Sequence, residues 1–210
     1  MKVNATTGFL LAFSLNLIFT LLKNYAAARI TSYFILVTAI IIFKPHSLKL
    51  GLNIKSIIAG FLFSVLPHYF NLMILGLANE ISFNALNIAL IIPNLFTSIV
   101  EELYFRIILY STLNKSYFKT SLMYSLFHLS LYTFNEALIS IILIAFYFSL
   151  GIVFQVLYDK HGLVACSTSH ILFNIVASTY IVNLKYICLS VVVFTAIATA
   201  LVVKEIIYKY

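Results

Sequence analysis

Residues 137–158, ALISIILIAFYFSLGIVFQVLY, carry no acidic or basic side chain and are bracketed by Glu136 and Asp159. As a helix rising 1.5 Å per residue the stretch is about 33 Å long, close to the roughly 30 Å hydrocarbon core of a bilayer. Working outward from it, charges and turn residues mark off seven more apolar stretches, at 5–22, 26–43, 56–79, 91–113, 120–134, 163–183 and 186–203. The whole chain of 210 residues is 63% hydrophobic and 9% charged, whereas soluble domains are about 45–50% apolar and about 25% charged. A water-soluble globule is excluded. The reading is an all-α polytopic membrane protein, a bundle of about eight transmembrane helices, forming a single domain over 1–210 with short loops.

The net charge is +7, but the bases stand singly between apolar blocks and form no patch for nucleic acid. They report topology instead. With alternating spans, Lys2, Lys44, Lys49, Lys55, Lys115, Lys119, Lys160, Lys204 and Lys209 share one side, against Lys23, Arg29 and Lys185 on the other. Because cytoplasmic loops are enriched in Lys and Arg, both termini are expected in the cytoplasm. Cys166 and Cys188 lie in apolar surroundings without a CxxC pattern, and read as small hydrophobes. The run GFLLAFSLNLIFTLL before Ala26-Ala27-Ala28 also has the form of a secretory signal, but Lys23 between them favours an uncleaved first helix. Residues 81–93, ISFNALNIALIIP, admit an interfacial or re-entrant stretch leading to a helix that starts at Pro93.

An ionisable side chain at mid-membrane costs at least a few kcal/mol and calls for a partner, a cavity or a function. Three stretches hold such residues. In Ser98-Ile-Val-Glu-Glu-Leu-Tyr-Phe-Arg106, Glu102 and Arg106 share a helix face and neutralise each other, whereas Glu101 is turned about 100° away with no cation on its own helix. His128 stands in SLMYSLFHLSLY, and His170 and Asn174 lie four apart in ACSTSHILFNIV. Single histidines and asparagines in membrane helices are ordinary interhelical glue, worth about 0.6 kcal/mol on average. Depth sets this group apart. His128 and His170 lie nine and ten residues beyond Lys119 and Lys160, and Glu101 fourteen before Lys115, depths that allow the three to occupy one layer once loop lengths are counted.

The order Glu101-Glu102-x-x-x-Arg106, then Tyr124-x-x-x-His128, then His170-x-x-x-Asn174, each on its own helix, resembles the CAAX protease and bacteriocin-processing (Abi) family of intramembrane proteases. The similarity spans about 91–180, with Tyr124 standing where the family usually has Phe. The resemblance implies peptide-bond hydrolysis in the membrane, on a membrane-anchored peptide or protein substrate; the preference for Lys over Arg and the abundance of Ile, Asn, Tyr and Phe point to a bacterial cell membrane. The resemblance further implies Glu101 as the general base, His128 as holder of the water and proton shuttle, and His170 and Asn174 as oxyanion donors. Glu102 and Arg106 would brace the helix, with Tyr124 in support. A metal-free site is favoured. Zinc on Glu101, His128 and His170 is the alternative, though there is no HExxH and Asn is a poor zinc ligand. Hydrolysis also requires a hydrated cavity, expected to open on the cytoplasmic side.

The remaining polar residues read as structural. His46 and His161 are expected in loops, His68 is expected to satisfy backbone freed by Pro67, and Glu80 and Glu136 fall at span ends. Substrates consistent with the resemblance are a CAAX-type tail, a peptide or bacteriocin precursor, or a membrane protein. Two other classes compete with an enzyme. A non-catalytic binding or immunity protein has no need of Glu101, and a proton-coupled carrier is disfavoured by the absence of an internal repeat.

Overall fold

The computed structural model describes residues 4–44, 48–78, 82, 89, 91–129, 137–179 and 184–207. Among them the chain forms eight continuous helices and no strand. These are α1 (Ala5–Leu21), α2 (Tyr25–Phe43), α3 (Ile54–Leu77), α4 (91–112), α5 (Tyr117–Leu129), α6 (Ala137–His161), α7 (Leu163–Ala177) and α8 (Leu184–Ile207). Four of them, α2, α3, α6 and α8, are both long and apolar enough to cross a membrane, and α1 and α7 are shorter apolar helices. The surface fits that setting, since large side chains such as Leu10, Ile30, Phe34, Ile41, Leu77 and Ile141 point outward. Charged and polar groups including Glu101, Glu102, Arg106, His128 and His170 are buried. This is an integral membrane protein.

The helix starts are written locally. Asn4, Asn24 and Asn53 each accept a backbone N–H three residues on, from Thr7 at 3.0 Å, Ala27 at 3.1 Å and Ser56 at 2.9 Å, satisfying donors that the first turn leaves without partners. The α6–α7 turn needs a single residue, Gly162 at φ +89°, where a Cβ would meet the Lys49 carbonyl at 2.6 Å. Packing pairs α1 with α2, α3 with α7, α5 with α6, and α6 with α7 and α8, while α4 runs against α2 and α7. Small residues allow close approach: a Cβ on Gly60 of α3 would lie 2.4 Å from the Ala165 carbonyl of α7.

One end of the bundle is tied together by polar contacts. Leu163 and Val164 donate backbone bonds to the Lys49 and Leu50 carbonyls at 2.7 and 3.0 Å, and Lys49 Nζ caps the Asp159 and Lys160 carbonyls at 2.6 and 2.8 Å. Asp159 also accepts Tyr110 and Tyr117 hydroxyls at 3.1 and 2.6 Å. Residues 48–53, 113–116 and Gly162 therefore gather at one end, as an alternating bundle demands.

Two expectations about histidines change. His161 is the last residue of α6 rather than a loop residue, and its carbonyl accepts Ser56 Oγ at 2.7 Å. His68 reaches beyond its own helix. It packs its ring on Phe173 of α7 at 4.5 Å and bonds to that residue's backbone. His46, Glu80, Glu136 and most of 81–93 lie outside the described residues, as does the end of the 120–134 stretch. Both cysteines are free, Cys166 buried and Cys188 exposed.

Candidate active site

Helix α4 changes pitch where the carboxylates sit. It is α-helical over Ile91–Glu102, π-helical over Leu103–Leu109 and α-helical again over Tyr110–Thr112. Isolated π turns often occur at functional sites, and here every residue from Tyr104 to Tyr110 is buried, so this segment is enclosed on all sides. No glycine or proline in the stretch announces it.

Within this helix Glu102 and Arg106 form the expected pair, Nε to Oε2 at 2.8 Å, both fully buried. Arg106 also donates to the Gly151 carbonyl at 3.1 Å, and its guanidinium lies 4.5 Å over the Tyr124 ring. The other Glu102 oxygen takes Nδ1 of His170 at 2.8 Å. A relay thus runs from Gly151 through Arg106 and Glu102 to His170, joining α6, α4 and α7.

Glu101 faces a different group. Its Oε1 accepts the hydroxyl of Tyr33 from α2, and its Oε2 lies 3.2 Å from His128 Nε2 and 3.8 Å from His170 Nε2. His128 is held between the rings of Tyr124 and Tyr147, each with its centroid 4.3 Å away, and its Nδ1 lies 3.0 Å from the Tyr124 carbonyl. His170 is stacked on Phe154 at 5.0 Å. Asn174 donates from Nδ2 to Ser98 Oγ at 3.1 Å, which leaves its second N–H for another acceptor.

Proton accounting follows from these partners. A carbonyl only accepts, so Nδ1 of His128 carries a proton; the ion-paired Glu102 carboxylate assigns one to Nδ1 of His170 in the same way. In the neutral imidazoles both Nε2 atoms are then lone pairs, and they converge with Glu101 Oε2 on one small space. Three acceptors facing one another need a donor between them: a water, a shared proton or a cation.

That space opens into a cavity of about 880 Å³ whose described lining includes Tyr33, Glu101, Tyr124, His128, His170 and Asn174. All seven residues expected from the sequence are thus in or against one site: Glu101, His128, His170, Asn174 and Tyr124 line the cavity, and Glu102 and Arg106 lie behind it. Tyr33 and Ser98 were not expected. Nothing in the local sequence separates Tyr33 from the chain's 14 tyrosines. The cavity also differs from expectation in direction. Its described lining on α2, α4, α5 and α7 lies toward the end of the bundle opposite the one at which Lys49, Lys115, Lys160 and the Asp159 contacts gather.

Residues 82–176 match the family model described as type II CAAX prenyl endopeptidase Rce1-like. Over this segment, somewhat less than half of the chain, the sequence is similar to that family. The similarity supports, in general terms, a CAAX-type intramembrane endopeptidase acting on a membrane-associated peptide or protein. No curated protein matches the chain. The family segment carries the three motif helices α4, α5 and α7 together with α6, while Tyr33 comes from outside it.

A zinc ion would suit the donors present. The ligand atoms of Glu101, His128 and His170 all lie within 4.8 Å of one another, against an edge of about 3.4 Å for tetrahedral zinc with bonds near 2.1 Å. Both imidazoles have Nδ1 bound to an acceptor, the arrangement that orients metal-binding histidines. The same three atoms suit a water equally well.

Proposed function

We propose that the protein is an intramembrane endopeptidase in which Glu101 and His128 activate a water and His170 and Asn174 stabilise the oxyanion. The observation that carries the proposal is the convergence of Glu101 Oε2 with the two Nε2 atoms at the buried end of the cavity. A water there donates one hydrogen to Glu101 and the other to His128, which leaves an oxygen lone pair directed at a peptide carbonyl in the cavity. As that oxygen attacks, Glu101 takes its proton and hands it across the 3.2 Å contact to Nε2 of His128, which passes it to the departing amine as the C–N bond breaks. General acid–base help of this kind is worth about 10²–10⁴ in rate.

The oxyanion is met by the spare N–H of Asn174 and by Nε2 of His170. Nδ1 of His170 is already committed to Glu102, so His170 donates from Nε2 as an imidazolium, with the Glu102 carboxylate supplying the counter-charge. Each such donor is typically worth about 3–4 kcal/mol in a dry site. Glu102 and Arg106 act through His170 and are positioning residues. If zinc is bound, Glu101, His128 and His170 hold it, and it supplies Lewis-acid activation of water and carbonyl; the metal-free reading is retained because Glu101 and the histidines supply both the base and the proton carrier.

The catalytic core is assigned to about 91–180 within a single domain, and the substrate to a membrane-anchored peptide or protein in a bacterial cell membrane. The test is made in proteoliposomes, with a library of membrane-anchored peptides read by mass spectrometry. Peptide-bond cleavage that persists with a chelator supports this reading. Loss of cleavage on chelation transfers Glu101 and the histidines to metal binding, and the absence of any cleavage together with an unaltered cellular phenotype in Glu101→Gln favours the non-catalytic alternative.

A further inference from the structure

The cavity belongs to one half of the bundle. Its described lining falls at residues 29–37 on α2, 93–101 on α4, 124–128 on α5, 147–150 on α6 and 170–178 on and just after α7. In an alternating bundle these are the first half of α4, the second halves of α5 and α7, the first and middle turns of α2 and the middle of α6, so the lining runs from mid-bundle toward one end. Glu101 is ten residues into α4 and His170 seven before the end of α7, so the reacting atoms sit about 10–15 Å below that end. The outer lining includes Arg29, which is exposed, with Ile30 and Phe34 70% and 71% exposed on the outward face of α2.

The charges mark the other end. Lys44, Lys49, Lys55, Lys115, Lys119, Lys160 and Lys204 stand at or beside the connections tied together by Asp159 and Gly162, or on the last turn of α8. Among the described side chains the cavity end has only Lys23 and Arg29. Short loops rich in Lys and Arg stay in the cytoplasm, so the cavity end is the extracytoplasmic one.

We propose that this site is served from the extracytoplasmic face of the membrane. The substrate class changes accordingly. A peptide that has been exported, or the outer tail or juxtamembrane segment of a membrane protein, reaches Glu101, whereas a lipid-modified tail in the cytosol meets the closed, lysine-rich end. The exposed Phe34 and Phe96 flank the cavity between α2 and α4 and suit the apolar part of a peptide leaving the outer leaflet, with Arg29 beside them for an anionic group.

The word substrate rests on the peptidase reading, but the sidedness does not, and the experiment reads sidedness alone. In a Cys166→Ser, Cys188→Ser background, single cysteines replace Asn94 or Ser178 at the cavity end and Lys115 or Lys119 at the other. Intact spheroplasts are treated with a membrane-impermeant maleimide before and after permeabilisation. Two positions at each end guard against a variant that fails to accumulate. The expected result is labelling of Asn94→Cys and Ser178→Cys in intact spheroplasts, with Lys115→Cys and Lys119→Cys labelled only after permeabilisation. The reverse pattern overturns the proposal, as does equal labelling of both ends or failure of the cavity-end cysteines to react even after permeabilisation. None of these outcomes depends on whether a peptide is cleaved, so they are separable from failure of the peptidase reading.

Discussion

Nδ1 of His170 lies 2.8 Å from Oε1 of Glu102, although 68 residues separate them in the chain. The contact fixes which nitrogen of His170 faces the cavity. It also divides the labour between two adjacent carboxylates: Glu102 is saturated by Arg106 and His170, and Glu101 is left to face the open space. This division yields separate expectations for stability and for activity.

Removing Arg106 strands Glu102 as a fully buried charge. Loss of one partner of a buried pair costs about 3–5 kcal/mol, so Arg106→Met is expected to lower the thermal midpoint in detergent strongly. Adding Glu102→Gln should recover part of that loss, because the charges then leave together. Additive losses in a double-mutant cycle would show that the pair is not coupled.

The Tyr124 hydroxyl is buried without a hydrogen-bond partner among the described residues, while the ring is held by Arg106 and His128. An unsatisfied buried hydroxyl costs about 1–3 kcal/mol. Tyr124→Phe, which restores the residue usual in the family pattern, should therefore be neutral or stabilising by about 1 kcal/mol and retain hydrolysis. A marked loss of activity would give the hydroxyl a role that its surroundings do not.

Tyr33 donates its hydroxyl hydrogen to Glu101 Oε1. Hydrogen bonds to charged groups are worth about 1.5–3 kcal/mol, so Tyr33→Phe is expected to lower kcat roughly 10- to 100-fold and to displace the pH–rate profile, with KM little changed. An unshifted profile at full kcat would make Tyr33 a packing residue.

Gly60 brings α3 against α7, where a Cβ would meet the Ala165 carbonyl at 2.4 Å. Gly60→Ala should therefore push the two helices apart and lower the thermal midpoint. It should also reduce activity, because α7 carries His170 and Asn174. An unchanged midpoint would mean that this contact gives way at no cost.

Much of this architecture is legible in the sequence because a bilayer makes apolar length the dominant signal. The stretches at 5–22, 26–43 and 91–113 match α1, α2 and α4 to within a residue or so. Against the stretch 56–79, α3 begins and ends two residues earlier, capped by Asn53, and α6 runs three residues past 137–158 to His161. The site was legible for a related reason: buried charge in lipid is conspicuous, and Glu102 with Arg106 and His170 with Asn174 are each four apart on one helix. Contacts between helices depend on rotation about each axis, which the near-uniform apolarity of α2 leaves undefined. Tyr33, Ser98 as partner of Asn174, and the direction of the cavity therefore emerged only from the assembled bundle. The π turn at Leu103–Leu109 is likewise a product of enclosure on every side.

The central claim, that Glu101 is the base and Glu102 a brace, is tested most directly by measuring hydrolysis and thermal midpoint on the same preparation of Glu101→Gln. The amide keeps the volume and an acceptor for the Tyr33 hydroxyl but accepts no proton from water. The account predicts a folded protein with a midpoint within a few degrees of wild type and peptide cleavage reduced about 10²- to 10⁴-fold. Cleavage at the wild-type rate in this variant would contradict it.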